Sequence, residues 1–151
     1  MTGTTNDNLF RMTLDGLTVA QQRAVGARFI ESVRDLSDDV RIDFAIKIAQ
    51  DIDANDSEIA SAFKSAKSAV LDCYTRCGAD ADWAMQAGYF VARAAGAVVK
   101  PEKDLAGNNP AWQAAMHCRM ARTCAVIDSD TTAEQEETEQ QHRILDDFLN
   151  A

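Results

Sequence analysis

WAMQAGYFVARAAGAVV, residues 83–99, is an alanine-rich segment near the centre of the sequence. Its apolar residues recur at spacings of three and four, as in Ala87, Val91 and Ala94, whereas a strand would alternate apolar and polar positions. The apolar surface is broad and consists mostly of small side chains, which indicates burial on more than one side. The pattern therefore predicts a central α-helix in close contact with its neighbours.

Three amphipathic helices are predicted before this one. The first begins at Thr18, whose hydroxyl can form a capping box with Gln21, and the second begins with Ser37 as its N-cap. The third runs from Asp56 until Gly78, a residue that suits the left-handed C-terminal position. The apolar stripes expected to face the core are, in order, Val25, Phe29, Val33 and Leu36; Val40, Phe44, Ile48 and Ile52; and Ile59, Phe63, Ala66, Val70, Cys73 and Cys77.

Two further helices are predicted after a loop at residues 100–109. Asn109 followed by Pro110 is a strong helix start, because proline at the first helical position loses no hydrogen bond. A capping box at Thr132 would begin the last helix, which ends near Leu149 and whose first half should project into water. The expected inner residues are Trp112, Met116, Met120 and Ile127, then Ile144, Leu145, Phe148 and Leu149.

The predicted architecture is an all-α, single-domain bundle of about six helices, with an N-terminal arm at residues 1–17 and the bundle at residues 18–151. A chain of 151 residues buries roughly 70% of its unfolded surface, so its four cysteines are interpreted as thiols. No stretch approaches the ~20 apolar residues of a membrane-spanning helix, and the N-terminus lacks signal-peptide features. We therefore expect a cytoplasmic protein without membrane contact.

Negative charge is concentrated at the C-terminal end. The net charge is −9, and residues 128–151 hold eight acidic side chains against Arg143 alone. This end should repel nucleic acid and anionic membranes and attract a basic partner. The side chains expected to contact such a partner are Glu134, Glu136, Glu137, Glu139, Asp146 and Asp147.

Four side chains could supply a tetrahedral zinc site. Cys73 and Cys77 are one helical turn apart, and His117 with Cys118 would add two further ligands. A single pair of cysteines four residues apart is also what core packing produces, and we favour packing. Adjacent helical residues point about 100° apart, so His117 and Cys118 do not form a catalytic dyad by sequence alone. We assign no catalytic residue, metal or cofactor.

Glu139 and His142 show the Glu-x-x-His spacing of di-iron helical bundles. A di-iron site requires such a pair from each of two helices, and the other histidine, His117, has Ala114 in the matching position. A solvent-exposed helix face is the simpler interpretation of Glu139 and His142.

Small residues dominate residues 84–97 and 111–125. Such residues let helices approach one another closely. Close packing inside one subunit and a helix-to-helix homodimer interface are both consistent with this composition.

Three segments share their order and character with a known family. They are AGYFVARAAG (87–96), AAMHCRMA (114–121) and the charged helix EQEETEQQHRIL (134–145). Over about residues 20–150 the chain resembles an all-helical family of immunity proteins from bacterial polymorphic toxin systems, although residues 46–53 replace the family's Trp-Ala-Arg-Gly run. The resemblance implies an intracellular protein that neutralises a toxin by binding it, without catalysis of its own.

The sequence thus predicts a non-catalytic acidic helical protein that binds a protein partner and, through the resemblance, an immunity protein whose partner is a basic toxin domain. One alternative is a helical enzyme or metal-binding protein that uses Cys73, Cys77, His117 and Cys118. A second is a homo-oligomeric structural or ligand-binding module built on the alanine-rich helices.

Overall fold

The computed structural model describes residues 6–77, 83–126 and 133–151. Within these ranges the chain forms seven α-helices and two 3₁₀ turns, and no strand. The α-helices are α1 (Asp7–Asp15), α2 (Val19–Glu31), α3 (Arg41–Gln50), α4 (Asp56–Cys77), α5 (Trp83–Val98), α6 (Pro110–Ala125) and α7 (Ala133–Leu149), with 3₁₀ turns at Arg34–Leu36 and Glu102–Asp104. One hydrophobic cluster draws buried side chains from all seven α-helices. The all-α prediction is confirmed, with one helix more than expected.

None of the helices in the described ranges is both long and apolar enough to cross a lipid bilayer.

Helix α1 lies inside the segment that the sequence assigned to an N-terminal arm. Asn6 begins it by accepting a hydrogen bond from the Leu9 N–H at 2.9 Å. Phe10 and Leu14 are fully buried in the core, and the Phe10 ring lies 5.7 Å from that of Phe29 in α2. Only these two of its nine residues are buried. Two apolar positions are too few to predict a helix from the sequence, and a helix of this length becomes stable only by packing against the rest of the protein.

Two of the predicted helix starts are confirmed by their hydrogen bonds. The Thr18 hydroxyl accepts from the Gln21 N–H at 3.1 Å, and the Gln21 side chain accepts from the Thr18 N–H at 3.0 Å. Asn109 accepts from the Ala111 N–H at 2.8 Å, with Pro110 as the first helical residue. Three other residues expected at caps or in the core lie outside the described residues: Gly78, Ile127 and Thr132.

The predicted inner face of α3 is wrong. Ser37 does not cap this helix, which begins at Arg41, and Ile48 is the buried member of the predicted stripe. A spacing of four residues advances about 400° around a helix, so the stripe drifts roughly 40° per step away from the core. The other members, Val40, Phe44 and Ile52, are exposed. The buried face instead combines spacings of three and four, at Ile42, Ala45, Ile46 and Ala49.

The inner face of α6 also differs from the prediction. Trp112 and Met116 pack against the edge of the core, but Met120 is 47% exposed. The buried face is made mostly of small residues, namely Ala111, Ala114, Ala115, Cys118, Arg119, Ala121 and Cys124. These alanines are used to bring helices of one subunit together. A homodimer stays a prediction, which light scattering can test.

Gly26 marks a close approach of α2 to two neighbouring helices. A Cβ atom at this position would lie 2.7 Å from Val98 Cγ1 in α5 and 3.3 Å from Ala111 Cα in α6. The packing of the three helices therefore requires glycine here. Gly96 in α5 is the opposite case, because an added Cβ would meet no atom within 4 Å.

We expect Gly26→Ala to lower the free energy of unfolding by about 1–3 kcal/mol, because the new methyl group must displace Val98 and the α6 backbone. Gly96→Ala is the matched control and should raise this free energy by about 0.5–1 kcal/mol, since alanine is the better helix former and meets open space. Urea unfolding followed by circular dichroism measures both. Effects of the same sign would contradict the packing described.

Candidate functional site

The acidic side chains of α7 divide into an outer and an inner set. Those that point outward form what we call the acidic face, made of Glu134, Glu136, Glu139 and Asp147, all of them exposed. Asp146, at its border, is half-buried. Arg143 is the one base on this helix, and it donates to the Gln140 side chain at 2.9 Å rather than to a carboxylate. The acidic face is therefore an exposed cluster of four carboxylates on one helix.

Glu137, which the sequence assigned to partner binding, faces the interior instead. It is only 4% exposed, accepts a hydrogen bond from the Ser32 hydroxyl at 2.7 Å and lies 3.6 Å from the Arg122 guanidinium. Arg122 also donates to the Ser32 carbonyl at 2.7 Å. These three residues join α7 to α6 and to the end of α2. The Glu137 carboxylate is engaged internally and does not belong to the outer surface.

The first half of α7 is mostly exposed, as expected, apart from Glu137 and the half-buried Thr138. The expectation that His142 lies on a solvated face is wrong. Gln141 is fully buried and His142 is 9% exposed. The His142 ring lies 4.8 Å from that of Phe10, and its Nε2 lies 3.2 Å from Asp7 Oδ1. Both contacts come from α1, which the sequence did not predict. Glu139 is exposed, as expected.

Of the four zinc candidates, the structure describes the side chains of Cys73, His117 and Cys118, and these three do not form one site. Cys73 and Cys118 are buried thiols in α4 and α6, and burial raises the pKa of the Cys118 thiol well above its usual value. His117 is half-buried, and the side chain of Cys77 lies outside the described residues. Among the side chains that are described, no group of three or more His, Cys, Asp or Glu is close enough together to hold a metal ion.

An open groove of about 560 Å³ lies between α4, α5, α6 and the loop that joins α5 to α6. We call it the α4–α6 groove. Its apolar lining is Phe63, Val70, Leu71, Gly96, Ala97, Leu105 and Pro110, and its polar lining is Lys67, Arg93, Lys100, Asp104, Asn108, Gln113 and His117. Small-molecule sites have this mixture of apolar walls and a few polar groups, and volumes of roughly 300–1,000 Å³.

Three cations border the groove, against the single carboxylate of Asp104. Lys67, Arg93 and Lys100 form no ion pair with any residue in the described ranges. Arg93 donates to the Tyr89 hydroxyl at 3.3 Å, which fixes the guanidinium beside the groove without neutralising it. In a chain with a net charge of −9, the α4–α6 groove is thus a local region of positive charge.

His117 presents a neutral imidazole to the groove. Burial, together with the positive charge of the nearby Arg93, lowers its pKa to about 4. The ring stacks on Phe90 with centroids 6.3 Å apart, and neither ring nitrogen has a hydrogen-bond partner among the described residues. A neutral imidazole carries one donor and one acceptor. Both are available to a bound molecule.

His117 is a candidate metal ligand in the sequence, but the α4–α6 groove was not predicted. One signal was present, because Arg93 and Gly96 are three residues apart and share a face of α5, and Lys100 follows two residues after that helix ends. The contribution of α4 to the same site depends on tertiary packing and has no counterpart in the sequence pattern.

No protein-family model matches this chain, and no curated protein and no solved structure is significantly similar to it.

Proposed function

We propose that this chain is a non-catalytic, cytoplasmic, single-domain binding protein that holds a basic protein partner against the acidic face of α7. The observation that carries the proposal is the division of the α7 carboxylates. Glu137 is engaged with Arg122 inside the protein, whereas the four carboxylates of the acidic face are exposed and Arg143 is the one lysine or arginine in the sequence of α7. Such a surface attracts a basic partner and speeds their encounter.

The negative surface extends beyond α7. Glu31, at the end of α2, lines the same shallow depression as Gln140 and Asp147. Arg28 lies in this depression too, with its guanidinium 5.3 Å from the centre of the Phe148 ring. A partner that covers α7 would therefore meet carboxylates from two helices. It would also meet an arginine and an aromatic ring, which are residue types enriched in the energetic centres of interfaces.

The resemblance of residues 87–96, 114–121 and 134–145 to bacterial immunity proteins supports the same role. In that role the partner is a basic toxin domain, and protection results from binding alone. The acidic face suits such a partner because toxin domains that attack nucleic acid are commonly basic, and charge complementarity raises the association rate.

The test compares two charge reversals by calorimetry. The partner is the basic toxin domain that the proposal expects to be encoded beside this chain's gene. Glu139→Lys with Asp147→Lys should weaken binding about tenfold or more, because two carboxylates of the acidic face become like charges. Asp51→Lys with Asp53→Lys is the matched control, since these exposed carboxylates lie in the turn after α3. Equal effects of the two pairs, or a gene neighbourhood that is purely metabolic, would contradict the proposal.

A further inference from the structure

The packing of this chain does not account for Gly96. Glycine inside an α-helix destabilises it relative to alanine, and at Gly26 this cost is explained by the close contact of three helices. At Gly96 an added Cβ would meet no atom within 4 Å. This position lines the α4–α6 groove, so the missing side chain leaves the groove open to something other than the chain itself.

The polar groups of the groove favour a negatively charged occupant. Lys67, Arg93 and Lys100 border it without ion-pair partners in the described ranges, against Asp104 alone. The unpaired imidazole of His117 adds a neutral N–H donor on the same lining. Carboxylates accept hydrogen bonds from both kinds of group, and such charge-assisted bonds are stronger than neutral ones.

Half of the lining residues are apolar. Phe63 and Val70 on α4 face Ala97 on α5 and Leu105 in the following loop across the same groove. A ligand made of charge alone would leave this surface uncovered, whereas a hydrocarbon body would remove it from water. The volume of about 560 Å³ suits a small molecule rather than a folded protein element.

We propose that the α4–α6 groove binds a small organic carboxylate with an apolar body, held by the cations of its rim and by its apolar lining. This site is separate from the acidic face of α7 and does not depend on the role proposed for that face.

The first experiment titrates the full chain with decanoate, using calorimetry and ¹H–¹⁵N NMR. We expect a dissociation constant of about 1 mM or tighter, as suits a ligand of this size, with shifts in the amide signals of Gly96, Ala97 and His117. Decanol, which keeps the chain but lacks the charge, should bind about tenfold more weakly or worse, and decyltrimethylammonium should be rejected. No binding of decanoate, or equal binding of the three compounds, would overturn the proposal.

The second experiment uses variants that act on the groove in two different ways. Gly96→Leu fills it and should abolish decanoate binding, whereas Gly96→Ala should preserve most of it. Lys67→Gln with Arg93→Gln should weaken decanoate about tenfold and leave decanol unchanged. Lys47→Gln with Arg143→Gln removes the same charge elsewhere and should have little effect. If Gly96→Leu does not fold, the two double variants decide, and equal losses from both would overturn the site.

Discussion

Replacing Phe10 by alanine is expected to lower the free energy of unfolding by about 3–5 kcal/mol. Phe10 is fully buried, and its ring lies 5.7 Å from that of Phe29, 6.1 Å from Trp112 and 4.8 Å from His142. It thus joins α1 to α2, α6 and α7 at one point. Truncation removes the apolar area of the ring and leaves a cavity that these neighbours cannot all move to fill.

Leu9→Ala is the matched control for Phe10→Ala. Leu9 is the preceding residue of the same helix and is 44% exposed, so its truncation should change the free energy of unfolding by no more than about 1 kcal/mol. Urea denaturation gives both values. If the two substitutions cost the same, residues 1–17 would be an arm outside the bundle, as the sequence had indicated.

Replacing Arg119 by methionine is expected to cost about 2–4 kcal/mol. Its guanidinium binds both oxygens of Asp7 at 2.8 Å, and its Nε donates to Gln141 Oε1 at 2.9 Å. Gln141 is fully buried and also donates to the Ala115 carbonyl at 2.9 Å. Methionine keeps much of the aliphatic volume, so the loss comes mainly from the Gln141 oxygen, which would be left buried without a donor.

A double-mutant cycle separates this effect from a simple loss of packing. Gln141→Leu removes the acceptor, and replacing both partners of a buried polar pair by apolar side chains of similar size is often nearly neutral. Arg119→Met combined with Gln141→Leu should therefore be more stable than Arg119→Met alone. If the losses in free energy of unfolding of the two single variants simply add in the double variant, that result would contradict a stabilising hydrogen bond between Arg119 and Gln141.

The ion pair between Arg119 and Asp7 should make the stability of the protein depend on pH. Its hydrogen bonds to Arg119 are the main reason that the pKa of Asp7 lies below the usual value of 3.8 in the folded protein. A carboxylate with a lowered folded pKa stabilises the protein above its unfolded pKa, and this contribution is lost as pH falls through the folded value. The difference in thermal stability between the wild type and Arg119→Met should therefore be largest above about pH 4 and shrink below it.

Local signals in the sequence were sufficient for most of the helices. The caps at Thr18 and Asn109 bind neighbouring backbone groups, so their residues fix the helix starts without help from the rest of the fold. The start of α4 at Asp56 agrees with its prediction for the same reason, since Asn55 accepts from the Glu58 N–H at 2.8 Å.

Features set by tertiary contacts were less predictable. Phe10 is buried because three other helices surround it, and α1 then covers His142 on a helix whose composition indicated exposure. Glu137 belongs to the acid-rich segment at residues 134–139, yet it contacts Arg122 and Ser32 in the interior, 15 and 105 residues away in the sequence. The α4–α6 groove likewise combines side chains from several helices. The positions of these helices relative to one another depend on tertiary packing and cannot be predicted from the sequence pattern.

The most direct test of partner binding at α7 is the ¹H–¹⁵N NMR spectrum of the labelled chain with and without the basic toxin domain. We predict that the amide signals of Glu136, Glu139 and Asp147 shift or broaden, while those of Lys67 and Gly96 in the α4–α6 groove stay in place. Shifts confined to the groove, or no change anywhere at saturating partner, would contradict binding through the acidic face.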